Sequence, residues 1–524
     1  MTASSTPTTT ASPAVATPQA ADNFEANLSY ALLNQQSQLR EQSKVSKKRG
    51  LLILVNGMEH SGKGDAVKAL TEWMDARYIK VHATMGQHPS RHQPIWQRHT
   101  LQLPRHGEIA IYFGNWYADL IRYVFDSGKH LDNKRLRQMI EDIEAFEQDL
   151  VNNHTDIIKC WFSVENKTLK KRLQDANPTL KQLYYVNWFC KKDRQRFYHF
   201  GGKLLSLQPH WHHIDGQDIT TSNLQFAHIV LGALTRLNQP SAKTLNNQSA
   251  TNQQSTFRPT ALLDALQHPA TATIDKTHYK KQLQAKQAIL AKLLSQRGQR
   301  HIVFVFEGMD AAGKGGAIRR AIAPLDPREY VIHAIAAPTE DELKHPYLWR
   351  FWTRLPHDEL ADVDIEYLSQ KFKGNKCLAL LKQRLHSSRI SFFDRSWYGR
   401  VLVERVEGFA SDTDWQRAYD EINHFEHDLV QSRAIIVKFW LAISEEEELQ
   451  RFQTRQTTPN KQFKITDEDW RNRSKWQPYV QAASDMIHLT HQPHSPWYVI
   501  ATDDKYSARL KVLDAMIAEL SKHL

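Results

Sequence analysis

The sequence predicts an α/β protein: a doubly wound parallel sheet with helices on both faces, duplicated in tandem and fitted with a helical lid. Three observations predict it. Short, continuous apolar runs, LLILV from Leu51 and IVFVF from Ile302, each lead into a glycine-rich loop and a helix-period stretch. A parallel strand covered on both faces reads in this way. Ordered blocks of the second half repeat the first, and a polar stretch separates the two halves.

Taken in order, residues 1–25 are mostly Thr, Ser, Ala and Pro, with little charge and few large apolar side chains. Such a segment buries too little surface to fold and is expected to be a disordered tail. It lacks the arginines of a mitochondrial presequence and the charged-then-apolar order of a secretion signal. A first domain is expected over 26–237. Residues 238–258, rich in Asn, Gln, Ser and Thr, read as a linker, and a second domain follows over 259–524.

The two domains are copies. Lys63 matches Lys314 at an offset of 251 (314 − 63), and Trp116 matches Trp397 at 281 (397 − 116). FEQDL from Phe146 matches FEHDL from Phe425, and IIKCWFSV from Ile157 matches IVKFWLAI from Ile436. The growth in offset places an insertion in the second copy, at about Glu359–Ser388, whose apolar spacing predicts helix broken at Gly374-Asn375. Ile390–Phe393 and Ile435–Leu441 read as further strands.

Composition narrows the function. With 41% hydrophobic and 24% charged residues the chain can build ordinary cores. Its 68 Lys and Arg against 57 Asp and Glu give +11, which suits polyanionic partners: nucleic acid, an anionic membrane surface or phosphate-rich small molecules. No helix-turn-helix, zinc-finger or aromatic RNA-binding motif supports nucleic acid. No apolar run reaches the roughly 18 residues of a membrane span. Cys160, Cys190 and Cys377 are odd in number and outside any CxxC pattern, which argues against a disulfide framework or a structural zinc site. A cytoplasmic protein is expected, with homo-oligomerisation left open. His88, His92 and His99 lack a patterned Cys or carboxylate partner and read as a chance cluster rather than a zinc site.

The strongest chemical signal is Gly308-Met-Asp-Ala-Ala-Gly313-Lys314-Gly315, directly between a strand and a helix. This is the G-x-x-x-x-G-K spacing of a P-loop. Gly308, Gly313 and Gly315 let backbone N–H groups turn around phosphate oxygens, and the helix N-terminus adds positive potential. Lys314 supplies a mobile cation for the phosphoryl group in transit. Gly315, however, stands where the usual loop places a Mg²⁺-binding hydroxyl. Asp310 within the loop and Asp394 at the end of the strand SFFD are suitable hard-oxygen ligands instead. Arg395 follows, and Arg400 and Arg405 could turn guanidinium groups towards bound phosphates. For the last two, ordinary ion pairs, with Glu404 for one, are the competing reading.

Downstream, Arg451, Arg455, Lys461, Lys464, Arg471, Arg473 and Lys475 form a basic stretch suited to a lid that closes over phosphates. The first copy keeps the loop as Gly57-Met-Glu-His-Ser-Gly62-Lys63-Gly64. Aligned without gaps, it places Phe113 at Asp394 and Gly114 at Arg395. The second carboxylate and its arginine are missing, so the active site is expected in the second copy.

These residues resemble a known family. GMDAAGKGGAIRR, WRFWTRLP, FDRSWYGRVLVERVEG, FEHDL, RFQTR, DEDWRNRSKW and SPWYVIATDDKYSAR are similar in order and content to the polyphosphate kinase 2 family. The duplication, with a degenerate first copy, is similar to its two-domain class. The resemblance implies a P-loop kinase-like fold and transfer of the terminal phosphoryl group of inorganic polyphosphate to AMP, giving ADP. It implies Asp310 and Asp394 as Mg²⁺ ligands, Lys314 and Arg395 on the transferred group, and Arg455 on the phosphate chain. A polyphosphate-dependent nucleoside diphosphate kinase and an ATP-dependent P-loop nucleotide kinase are the rival enzymes. A guanine-nucleotide switch would need Asn-Lys-x-Asp, and the near match Asn166-Lys167-Thr168-Leu169 lacks the Asp.

Overall fold

The structure is a computed structural model that describes residues 18–45, 48–84, 86, 89, 93–128, 134–174, 186–208, 210–239, 262, 265–266, 274–298, 300–355, 390–458 and 467–524. The expected insertion at about Glu359–Ser388, Cys377 and the linker beyond residue 239 lie outside them.

The first sheet contains β1 (Gly50–Gly57), β2 (Ile79–Ala83), β3 (Ile109–Phe113), β4 (Thr155–Ser163) and β5 (Trp211–Asp215), in the order β2-β3-β1-β4-β5. The second contains β6 (Ile302–Gly308), β7 (Tyr330–Ala334), β8 (Ile390–Asp394), β9 (Ile435–Ala442) and β10 (Trp497–Ala501), in the order β10-β9-β6-β8-β7. Read from the other edge, this is the same arrangement, and every pairing is parallel. The central strands β1 and β6 are buried almost throughout, which accounts for their unbroken apolar runs.

The registers test the internal alignment. Val55 pairs with Phe113 in the first sheet, and Phe306 with Asp394 in the second. Both follow the offsets of 251 and 281, so Phe113 and Asp394 are structural equivalents.

The first copy carries α1 (Pro18–Val45), α2 (Lys63–Trp73), α3 (Trp116–Ser127), α4 (Lys134–Asn152), α5 (Asn166–Gln174), α6 (Lys191–Leu207) and α7 (Ile219–Asn238). The second carries α8 (Lys276–Ser295), α9 (Lys314–Ile322), α10 (Asp412–Gln431), α11 (Glu445–Thr457), α12 (Asp467–Ser474), α13 (Trp476–Thr490) and α14 (Lys505–His523). Helix α1 corrects one expectation: it begins at Pro18, inside the stretch read as a tail to residue 25. Its Leu28, Leu32, Gln36 and Leu39 recur at helical spacing and are buried. Gln36 also accepts the Asp75 N–H at 2.8 Å.

Two compact units divide the chain: the second takes in everything beyond the expected linker together with two stretches of the first copy. One holds the first sheet with α1, α2 and α5–α7. The other holds the second sheet with α8–α14, and it also takes in α3, α4 and the 3-10 helix Gln97–Gln102 from the first copy. Within this second unit α4 lies beside α10, its own counterpart in the repeat. Asn153 donates to Glu421 at 3.0 Å, and the Trp96 indole N–H to Asp428 at 2.9 Å. Trp96, Phe146 and Trp352 pack ring against ring around the contact. No helix among the described residues is long and apolar enough to cross a membrane.

Candidate active site

Strand β6 ends at Gly308 with φ +144°, and a Cβ there would stand 2.4 Å from the Leu441 carbonyl oxygen. Only glycine lets the loop leave the strand while β6 and β9 stay paired. Ala311 (φ +57°) and Gly313 (φ +105°) complete the turn, so that α9 starts at Lys314. The Lys314 ammonium folds back over the loop, donating to the carbonyls of Gly308 (2.7 Å) and Met309 (3.1 Å). Arg451 fixes the loop from outside by donating to the Ala311 carbonyl at 2.8 Å. Ser444 caps α11 and four glutamates fill its first turn, which sets the helix that carries Arg451.

Strand order reverses between β8 and β6, where neighbouring carboxyl ends open a crevice. Asp394 ends β8 at that point. Arg395 follows in the left-handed region, φ +62°, a conformation that strains a residue with a side chain. Its backbone N–H is held by the Phe306 carbonyl at 3.0 Å, and its guanidinium by Asp310 Oδ1 at 2.8 Å. Beneath it, Glu426 accepts from the Trp397 indole (3.0 Å), the Tyr398 hydroxyl (2.7 Å) and Lys438 (2.6 Å). Lys438 and Glu426 are fully buried, so this ion pair is a rigid floor for the Asp394–Tyr398 turn.

Asp310 Oδ2 accepts from Asn472 at 2.9 Å. Burial works to raise its pKa, but Lys314 and Arg395 outweigh it and hold the carboxyl below its ordinary value. Burial, then the nearby Arg395, lowers Lys314. Burial raises Glu307, whose Oε1 accepts from Ser396 at 2.8 Å.

Around these groups opens a cleft of about 840 Å³. It is lined by the loop with Gly313, Lys314 and Gly315, by Asp310, Asp394 and Arg395, and by Arg455. The sequence-derived set is thus brought together except at three points. Gly308 lies one step below the cleft and shapes the loop instead. Arg400 and Arg405 do not line it, which corrects their expected placement. Arg400 pairs with Glu404 at 2.8 Å and lies over the Tyr347 ring, while Arg405 pairs with Asp485 at 2.8 Å and lies over Trp415. Residues 397–400 form a 3-10 turn and 403–406 a single helical turn, not the continuous helix that would have aimed both at the loop.

The cleft also holds residues that sequence reasoning did not single out, although they lie within the quoted motifs: Arg319, Lys505 and Arg509, with Asn472 reaching Asp310 beside it. Of the basic stretch, Arg451, Arg471, Arg473 and Lys475 form ion pairs with Glu447, Glu407, Glu448 and Glu407 respectively. Lys461 and Lys464 lie outside the described residues.

The first copy's loop is an internal control. Gly57, His60 and Gly62 repeat the three positive φ values, and Arg172 donates to the His60 carbonyl at 2.8 Å as Arg451 does to Ala311. But Lys63 is tied to Glu59 at 2.9 Å and sits 5.6 Å from the centre of the Phe113 ring, which occupies the Asp394 position. Gly114, at the Arg395 position, has φ +105°. His99 is buried against Asp119 at 2.9 Å; His88 and His92 lie outside the described residues.

Fold and loop together define a P-loop α/β protein. The chain belongs to the polyphosphate kinase 2 family, whose model matches residues 21–235, 273–363 and 375–524. It is 40% identical over 499 residues to a polyphosphate:AMP phosphotransferase of Acinetobacter johnsonii, covering 95% of this chain and 96% of that one. It is also 40% identical to the protein of that name from Pseudomonas syringae pv. tomato, with 96% of each chain covered. A crystal structure from Pseudomonas aeruginosa PA01, described as a polyphosphate kinase 2, superposes with a TM-score of 0.76 at 36% identity over 97% of both chains.

Proposed function

We propose that the chain is a polyphosphate:AMP phosphotransferase with its active site in the second copy. The observation that carries this is the convergence of Lys314, Asp310, Asp394 and Arg395 at the strand-order reversal, in a cleft where cations outnumber acids. The relatives of that name match over nearly the whole chain.

An AMP phosphate oxygen attacks the terminal phosphorus of polyphosphate; the bridging P–O bond breaks, and its electron pair leaves with the shortened chain, giving ADP. A phosphate monoester acceptor is largely deprotonated at pH 7, so no general base is needed. That fits a cleft whose described lining contains no histidine. Lys314 and Arg395 neutralise charge on the oxygens of the group in transit, and the loop N–H groups orient it. The Glu426–Lys438 floor holds Arg395 where it must act.

The residues fit Mg²⁺. Two carboxylates face the cleft, and a Cβ at Gly315 would fill space 3.6 Å from Asp394 Oδ2. Asp310 and Asp394 would hold the ion, with phosphate oxygens and water completing its shell. When bound, it supplies further neutralisation of charge between donor and acceptor. We place the protein in the cytoplasm, without nucleic-acid or membrane partners and with homo-oligomerisation open; Cys160 and Cys190 are free thiols.

The test is ADP formation from AMP with Mg²⁺. It is expected with polyphosphate as donor, and no turnover with polyphosphate would refute the reading.

A further inference from the structure

The loop carboxylate is held differently in the two copies. In the first, Glu59 stands at the place of Asp310 and is taken by its own loop lysine, Lys63, at 2.9 Å. In the second, Lys314 turns instead to the carbonyls of Gly308 and Met309. Asp310 accepts from two groups on other elements: the Arg395 guanidinium on Oδ1 at 2.8 Å, and the Asn472 amide on Oδ2 at 2.9 Å. Arg395 is the group that the proposed reaction turns towards phosphate. Asn472 is then the partner that can stay with Asp310 throughout.

The place of Asn472 is set by its neighbours. It lies on α12, and the residues after it fasten that helix on two sides. Arg473 donates to the Glu445 carbonyl at 2.8 Å and to Glu448 at 3.2 Å, both on the first turn of α11. Lys475 pairs with Glu407 at 2.9 Å. Asn472 lines a small pocket, about 60 Å³, with Asp310, Arg395, Trp440 and Trp476. Its Nδ2 is spent on Asp310, while its Oδ1 is buried and has no hydrogen-bond partner among the described residues. An acceptor kept from solvent and left unpaired is costly, so this one calls for a donor. A hydrated cation brings one, because Mg²⁺ keeps several waters in its shell.

We infer that Asn472 is a positioning residue for the divalent cation: it orients Asp310 through Nδ2 and receives a water of the cation's shell through Oδ1. The inference rests on the placement of Mg²⁺ at Asp310 and Asp394 proposed above. Carboxylates that bind a metal are themselves held by hydrogen bonds, and loss of such an outer partner weakens the metal's hold. An amide suits the task, since it donates on one side, accepts on the other and carries no charge. A carboxylate in its place would repel Asp310, and an ammonium would compete with the cation.

The experiment measures binding of tripolyphosphate to the full chain without AMP, once with Mn²⁺ and once with EDTA. It compares wild type with Asn472→Leu, Asn472→Ala and Asn472→Gln. Wild type should bind more tightly with the metal present. Asn472→Leu and Asn472→Ala should lose roughly tenfold in affinity for metal-loaded tripolyphosphate, yet bind the metal-free chain as wild type does. Water-proton relaxation by the bound Mn²⁺ should change in the same two variants, because a water of the shell loses its partner. Asn472→Gln keeps both donor and acceptor and should recover most of the loss. In turnover, the Mg²⁺ concentration giving half the maximal rate should rise roughly tenfold in the Leu and Ala variants, with KM for AMP unchanged at saturating Mg²⁺. Equal losses of affinity with and without metal would overturn the inference, since Asn472 would then serve only to tie α12 to the loop. So would an unchanged metal effect with a raised KM for AMP, which would put the amide on the acceptor. Wild-type protein that binds tripolyphosphate no better with metal would overturn the inference together with the Mg²⁺ placement. A normal metal effect without ADP formation from polyphosphate would refute the phosphotransferase reading alone.

Discussion

Asp394 and Arg395 carry the difference between the two copies, and each makes a separate prediction. Asp394→Asn keeps the shape of the side chain and removes its charge. Turnover should fall at least about a hundredfold with the melting temperature little changed; an active variant would contradict its role. Arg395 is strained by its left-handed backbone, and the first copy has Gly114 in the same place with φ +105°. Arg395→Gly should therefore abolish activity while keeping stability or raising it by up to about 1 kcal/mol, read by denaturant unfolding. A clear loss of stability would mean that the ion pair with Asp310 outweighs the strain. Lys63→Ala should cost far less activity than Lys314→Ala, because Lys63 is closed in by Glu59 and Phe113. At this scale the loop lysine, both carboxylates and Arg395 were legible, because they lie in unbroken motifs on strand ends. Lys505, Arg509 and Asn472 lie inside quoted motifs but were given no place at the site: they reach it through packing of helices distant in sequence. Arg400 and Arg405 miss the cleft because their segment breaks into two short turns, which the sequence pattern does not show.

Helices α4 and α10 bring buried carboxyl groups together, and the duplication makes them two versions of one pair. Asp142 matches Glu421, and Asp149 matches Asp428; in the structure Asp428 is raised by burial and by Asp142, and Asp149 by burial and by Glu421. Asp149 is pushed up to about 8, with Arg417 only partly offsetting Glu421 and Asp420. The folded state thus keeps this proton up to about pH 8, whereas an unfolded chain releases it near 3.8. Stability from this group is full below about pH 4 and is lost as pH rises towards 8. Melting temperature should fall between pH 5 and pH 8, and Asp149→Asn should flatten that fall and stabilise the protein at pH 8. An unchanged slope would contradict it. The Lys438–Glu426 pair behaves differently: Lys438→Met leaves a buried carboxylate without its cation and should destabilise by about 3–5 kcal/mol. The strands and most helices were legible from periodicity. That α3 and α4 join the second unit was not, because an apolar stripe states that a face is covered but not by what. Helix α1 was overlooked although Leu28, Leu32 and Leu39 carry the spacing that marks it.

For the molecule as a whole, duplication left two loops of one backbone shape on the same fold, only one of them facing a carboxylate and an arginine from the neighbouring strand end. The second copy holds the carboxylates, the arginine and the cationic continuation of its cleft, and the first retains the loop's backbone shape without them. The proposed reaction at this second site is transfer of a phosphoryl group from polyphosphate to AMP. The most direct measurement is the rate of ADP formation from AMP with Mg²⁺, with polyphosphate and with ATP supplied separately as donor, for wild type and Asp394→Asn. Turnover is expected with polyphosphate and little with ATP, and both should be lost in the variant. Turnover with ATP alone, or equal rates in wild type and Asp394→Asn, would contradict it.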